Sequence, residues 1–237
     1  MKIRIFTILI LTFFTLPMFA QGNLPYRDDK FFHFGFSLGT NLMDFGIMQK
    51  DTVIGGKIYD TNVSTLQPGF SVGIITDFRL SRYLNARFTP TLHFGERNIS
   101  YRARDNVTGI YSDTVVNPIP SIPIVLPVYL KYSAERYNNF RPYLIGGGGA
   151  YIDLGTDKEK PVLLRPFDVF AEIGVGCDIY FSFFKLAPEL KFGLGFTDLL
   201  VPLNKRDAGK LSDDDKKYTD VLSKLTSRML TLTFNFE

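Results

Sequence analysis

Alternation of apolar and polar residues constrains this chain more than any other feature. It recurs in eight segments, each long enough to cross a bilayer as a tilted strand of about 9–11 residues. The segments are residues 31–40, 69–80, 83–95, 122–133, 140–154, 167–181, 184–196 and 228–236. Phe, Tyr and Gly are abundant, which also favours strands and tight turns over helices. The sequence therefore predicts an all-β fold.

The connections between these segments alternate in length. Tight turns join segments two to three, four to five and six to seven, whereas the other links, residues 41–68, 96–121, 155–166 and 197–226, are long. Short turns at one rim and long loops at the other are typical of outer-membrane barrels. We therefore expect an eight-stranded antiparallel transmembrane β-barrel with short periplasmic turns and long extracellular loops, placed in the cell outer membrane.

A soluble β-sandwich or lipocalin-like barrel is the alternative, because alternation alone does not say which face points inward. Two features favour the membrane barrel. The polar faces are rich in Gly, Ser, Thr and opposed charges, which suits a narrow lumen, and the apolar faces stay apolar through whole strands, which suits lipid.

The N-terminal residues 1–20 have the pattern of a cleaved secretory signal. Lys2 and Arg4 precede an apolar run that is short for a membrane-spanning helix, and Ala20 suggests a cut before Gln21. We expect three parts: a signal peptide over residues 1–20, a short periplasmic segment over 21–30 and the barrel over 31–237.

Charge and cysteine content exclude several classes of function. Loss of Lys2 and Arg4 with the signal lowers the net charge from +3 to +1, which argues against nucleic acid as a partner. One cysteine, Cys177, and two histidines make a zinc site improbable. We expect no cofactor and no metal.

Charged side chains on the polar faces are predicted to point into the lumen. Because eight strands enclose a space that side chains can fill, we expect these charges to pair with one another and not to line an ion path. The predicted lumenal charges are Asp77, Arg79, Arg87, Lys131, Asp153, Asp168, Glu172, Asp178, Lys185, Glu189 and Lys191.

Catalysis is not predicted. His33 or His93 with a carboxylate could form an acid–base pair, as in barrel enzymes that modify lipid A, but His33 and Ser37 face the predicted lumen and not lipid. The four glycines 146–149 lack the Lys-Ser/Thr pair of a phosphate-binding loop, so they indicate room in the wall or lumen.

Local signals in loops and strands give three smaller predictions. Asp-Thr-aliphatic triplets place possible O-glycan sites at Thr52 and Thr114 in long loops. A cap-like start and spaced leucines predict a short helix within residues 211–227. Pro90, Pro142 and Pro188 fall inside predicted strands, where we expect bulges or rim positions.

Several motifs in order resemble the PorT/SprT family of Bacteroidetes. They are FGFSLGTN at 34–41, LHFGER at 92–97, LPVYLKY at 126–132, RPY at 141–143 before the glycines, and EIGVG at 172–176. The resemblance implies an accessory outer-membrane component of the type IX protein secretion and gliding-motility machinery. It implies contacts with other secretion-system proteins, and no catalytic residues.

Two hypotheses about function therefore stand beside each other. In the first, the long loops or the periplasmic rim bind other secretion proteins; in the second, the chain is a stand-alone structural or adhesive barrel, and a lipid A-modifying enzyme is a remote third. Under each of these three hypotheses, outer-membrane lipid is an expected partner. The barrel assembly machinery is another, because the last strand ends in Phe234-Asn235-Phe236, followed by Glu237.

Overall fold

A closed ring of antiparallel strands forms the body of the molecule in this computed structural model. It describes residues 23–24, 27–50, 53–54, 57–63, 66–106, 108–112, 114–155, 162–203 and 219–237. The predicted signal peptide, residues 1–20, lies outside the described residues. The strands are β1 (Phe32–Gln49), β2 (Val53–Ile54), β3 (Lys57–Val63), β4 (Pro68–Arg79), β5 (Leu84–Phe88), β6 (Thr91–Asp105), β7 (Val115–Ser121), β8 (Pro123–Ser133), β9 (Phe140–Asp153), β10 (Phe167–Tyr180), β11 (Lys185–Gly195) and β12 (Leu222–Phe236).

Eight wall positions close the ring, as the sequence predicted. β1 pairs with β4 on one side and with β12 on the other, and β8 to β12 pair in sequence. The third position is shared by β5 and the first residues of β6, which both pair with β4 and β8. Among the described residues, no helix is long and apolar enough to span a membrane.

Side chains alternate between the two sides of this wall, and the apolar ones point outward. On β1, Phe34 and Phe36 are more than half exposed, while His33 and Ser37 on either side of this pair are buried. β4, β10 and β12 repeat the pattern. A soluble barrel would have the reverse arrangement, so this outer face needs an apolar medium around it.

Proline shapes the wall at three places. The third wall strand breaks at Thr89–Pro90, where a bulge or rim position was expected, and the ladder of β8 is interrupted opposite that break, at Leu126 and Pro127. The register is the same on both sides of the break. Pro142 lies at the short-turn rim, one residue beyond the last β8–β9 pair. At Pro188 the β10–β11 ladder has a gap, because proline has no N–H to donate.

Two predicted loops are largely strand. Residues 41–49 continue β1, and residues 96–105 of β6 pair with β7 and β3 to form a sheet that extends past the ring at the long-loop end. The helix predicted within residues 211–227 is wrong over 222–227, which begin β12; residues 211–218 lie outside the described part. Pairing with β1 on one side holds this stretch extended.

Candidate functional site

The lumen is filled by ion pairs around Arg87 of β5. Its Nη2 atom lies 2.7 Å from Asp77 Oδ2 and 2.9 Å from Glu237 Oε1, and its Nη1 atom lies 3.2 Å from Glu189 Oε2. All four side chains are at most 2% exposed, and one guanidinium contacts carboxylates from β4, β11 and the residue after β12. This contact joins both sides of the ring across its interior.

Two lysines extend the network toward the short turns. Lys131 Nζ lies 2.7 and 2.9 Å from the two carboxylate oxygens of Asp178. Lys185 Nζ lies 3.8 Å from Asp178 and 2.7 Å from Glu237 Oε2. The chain of contacts is thus continuous from β8 through β10 and β11 to the group around Arg87.

Tyrosines complete the middle of the lumen. Tyr143 donates its hydroxyl to Glu189 at 2.8 Å, and Tyr129 donates to Glu172. Lys191 lies 3.1 Å from Glu189 and 4.9 Å from the centroid of the Tyr129 ring. These rings occupy volume as well as hydrogen-bonding the carboxylates, so they close space that smaller residues would leave to water.

Toward the long loops the lumenal charges change partners. Arg97 Nη2 lies 3.8 Å from Asp153, and its guanidinium lies over the rings of Phe45 and Tyr151 at 4.9 and 5.3 Å. Asp153 also accepts hydrogen bonds from backbone N–H groups at 122 and 155, and Asp168 accepts from that at 197. These carboxylates hold the starts of loops in place.

The long-loop end of the lumen is closed by an apolar cluster. Its members are buried side chains from the upper strands together with residues of two loops. They are Phe45, Ile99, Tyr101, Ile119, Val162, Leu164, Leu199, Leu200, Leu222 and Leu225. The interior therefore changes from charged to apolar along the barrel axis, and the apolar part is a lid over the charged part.

The short-turn end is crossed by the described part of the N-terminal segment. Arg136 donates to the carbonyls of Asn23 and Leu24, and Asp28 accepts from Tyr180 Oη at 2.6 Å and lies 3.4 Å from Arg141 Nη1. We call this segment, residues 23–24 and 27–30, the rim strap.

Beside the rim strap is a polar cleft of about 350 Å³, the rim cleft. On one side Arg79 pairs with Asp29 at 3.0 Å. On the other, Arg82 and Tyr83 both contact Glu135, and the Tyr83 hydroxyl donates to it at 2.8 Å. This hydrogen bond raises the pKa of the Tyr83 phenol. The rim cleft presents charged groups of both signs to solvent.

The family model of the outer membrane protein beta-barrel domain matches residues 19–201, more than half of the chain. The chain belongs to this family. Among solved structures, Neisserial surface protein A is similar, with 10% identity and a TM-score of 0.40 over 87% of this chain and 98% of that one. No curated protein matches the chain.

Membership of this family places the protein in the cell outer membrane, in agreement with the apolar outer wall. In such barrels the short turns are periplasmic and the long loops extracellular. The rim strap and rim cleft therefore lie on the periplasmic side, and the apolar cluster with the β3–β6–β7 sheet lies on the extracellular side.

The structure gives a position for each predicted lumenal charge. Asp77, Arg87, Lys131, Asp153, Asp168, Glu172, Asp178, Lys185, Glu189 and Lys191 are all buried inside the barrel. Arg79 is the exception, because it lies at the periplasmic rim with its side chain 27% exposed. Arg79 is the last residue of β4, so it lies where the strand leaves the lumen.

Four central residues were not among the predicted set: Glu237, Arg97, Tyr129 and Tyr143. Asn235 of β12 points into the lumen, and side chains two residues apart on a strand share a face, so strand alternation predicts that Glu237 also points inward. Arg97 lies beyond the predicted third segment, which ends at residue 95, whereas β6 continues to Asp105. The tyrosines carry no formal charge, and polarity gives no signal for them.

The other predicted positions have different surroundings. Thr114 is exposed between β6 and β7, and Thr52 lies outside the described residues. His33 and His93 are both buried in the lumen wall, away from the lipid-facing surface. The described residues contain no group of His, Cys, Asp and Glu side chains arranged to hold a metal ion.

Proposed function

We propose that this barrel is an accessory component of the type IX protein secretion and gliding-motility machinery, acting through protein contacts and not as a pore or an enzyme. The filled lumen is the observation that carries the mode of action. Ion pairs occupy its centre and the apolar cluster closes its extracellular end, so a solute or an exported chain has no path through it. The resemblance to PorT/SprT supports the choice of machinery.

The rim cleft is the favoured contact surface for other secretion proteins. Arg82 and Glu135 are more than 70% exposed there, and turns on both sides hold them in a defined arrangement. Exposed charges of both signs give orientation and specificity to a protein contact more than they give affinity. A periplasmic partner with complementary charges fits this surface.

Deletion of the gene tests the proposal through secreted protein. We expect loss of type IX cargo from the medium and loss of spreading on agar, both restored by the wild-type gene. Complementation with Arg82→Glu combined with Glu135→Arg, which reverses both exposed charges, should restore barrel levels and export less cargo. Normal export and spreading in the deletion strain would refute the proposal.

A stand-alone adhesive barrel is the second candidate, favoured by exposed apolar residues at the extracellular end. Ile110 and Tyr111 are 69% and 49% exposed, and Val115 and Val116 of β7 are also exposed. In this case the deletion strain would export normally but bind surfaces poorly. An altered lipid A mass spectrum in the deletion strain would instead favour the hypothesis of a lipid A-modifying enzyme.

A further inference from the structure

The outer wall changes from apolar to cationic at the seam where β1 pairs with β12. Phe234, Leu232 and Leu230 of β12 point to lipid. The next outward positions toward the extracellular end are Arg228, Thr226 and Lys224. Arg228 thus follows the last apolar position of β12, level with the exposed Leu194 of β11, and Lys224 lies two outward positions further toward the extracellular end.

The guanidinium of Arg228 lies over Gly46 of β1 at this seam. Gly46 of β1 is buried beneath it, and a Cβ atom built at position 46 would lie only 3.0 Å from Arg228 Nε and 3.1 Å from Nη2. Because Gly46 pairs with Thr226, the guanidinium is turned away from the apolar band and toward the extracellular side. Long basic side chains at a membrane boundary take this direction to reach the polar headgroups.

The carboxylate beside these cations is already engaged. Asp44 pairs with Arg228 across the strands and faces the same side, but it accepts the N–H of Phe45 at 2.6 Å. Among the described residues, no carboxylate lies within 4.0 Å of the charged nitrogens of Arg228 or Lys224. With two cations and one anion, the seam keeps a net positive charge at the membrane surface.

We propose that Arg228 and Lys224 bind the phosphate of an anionic lipid in the outer leaflet, whose acyl chains lie on Leu230 and Leu232. A guanidinium matches phosphate geometry with paired N–H donors, and a nearby ammonium adds charge. A basic residue costs free energy on a lipid-facing wall, and a headgroup phosphate offsets that cost. This site is independent of the role in secretion.

Binding of purified lipid A to the full mature protein in neutral detergent tests the site. Native mass spectrometry should show bound bisphosphorylated lipid A, and the fully dephosphorylated form should bind far less. Arg228→Gln and Lys224→Gln should each weaken binding about five-fold. Arg102→Gln is the matched control, because Arg102 is also an exposed, outward-facing arginine but lies in the extracellular sheet against Tyr111.

The remaining variants separate a phosphate site from a general effect on the wall. Arg228→Lys should keep most of the binding, and Asp44→Asn should strengthen it, since it removes the negative charge that lies across the strands from Arg228. Heat-modifiable migration on gels verifies that each variant is folded. Equal binding of both lipid forms, or equal loss in Arg102→Gln and Arg228→Gln, would overturn the proposal, as would full competition by millimolar inorganic phosphate.

Discussion

At the scale of single residues, Arg87 is the centre of the lumen. Its replacement by Met removes the cation and leaves Asp77, Glu189 and Glu237 buried together, which should destabilise the barrel by about 3–5 kcal/mol. Urea unfolding followed by the heat-modifiable gel shift measures this. Arg82→Met is the control, because its pair with Glu135 is more than 70% exposed and should cost at most about 1 kcal/mol. Equal losses in the two variants would show that the lumenal pairs contribute no more than surface pairs.

The glycine run of β9 offers a second test with an internal control. A Cβ at Gly147 would lie 2.1 Å from the carbonyl oxygen of Val128, whereas one at Gly146 would meet nothing closer than 3.8 Å. Gly147→Ala should therefore destabilise the barrel by about 1–3 kcal/mol through overpacking. Gly146→Ala should be neutral or stabilise it by up to about 1 kcal/mol, since alanine restricts the unfolded chain.

The same urea assay distinguishes the two glycine variants. If both alanines destabilise equally, the run is needed for backbone flexibility and not for close packing against β8.

Residue-scale features differ in how far the sequence reveals them. Asp178 and Lys131 follow from strand alternation, because parity places them on the same face as their polar neighbours. Their pairing with each other does not follow, since it depends on which strands adjoin across the ring. The position of Gly147 against Val128 depends on the register between β8 and β9. Alternation does not fix this register, because a shift of two residues keeps every side chain on the same face.

At the scale of elements, β7 has proline at alternate positions, Pro118 and Pro120. It pairs with β6 along its whole length, and its other edge pairs with no described strand. Because Pro118 and Pro120 cannot donate and the β6 ladder is continuous, the positions without N–H face away from β6. Natural sheets use proline in this way against unwanted strand pairing.

Replacing both prolines with Thr should therefore make the edge competent for pairing. We expect Pro118→Thr combined with Pro120→Thr to form dimers whose fraction rises with protein concentration in detergent, as measured by analytical ultracentrifugation. Val116→Thr changes an exposed side chain of the same strand and keeps both prolines, so it should remain as monomeric as the parent. A double variant that sediments like the parent would mean that the loops, and not the prolines, cover this edge.

Element boundaries were harder to predict than element number. Residues 96–105 break the apolar–polar alternation after Arg97 because, past the membrane, both faces of the sheet lie against protein or water. Buried Asn98 and Ile99 are adjacent in sequence, which a lipid-facing strand would not allow. The signal for a membrane strand thus disappears where the membrane ends, although the strand continues.

At the scale of the whole molecule, the sequence predicts the closed ring and its outward apolar face, but not its extracellular lid. The alternating turn and loop lengths are local and can be counted directly. The apolar cluster joins Val162 and Leu164 to Leu199 and Leu200 from another loop, and no local pattern signals that long-range contact. This cluster closes the end of the barrel that faces the environment.

A filled and lidded lumen predicts that the purified protein does not conduct ions. Planar bilayers containing it should show no discrete current steps at 100 mV in 1 M KCl, since the ion pairs around Arg87 and the apolar cluster block the axis in series. A large porin in the same bilayers verifies the sensitivity of the recording, and protease protection of reconstituted vesicles verifies insertion. Reproducible steps that vanish when antibody binds the extracellular loops would show an open path, and the proposal that the protein works only at its two ends would then fail.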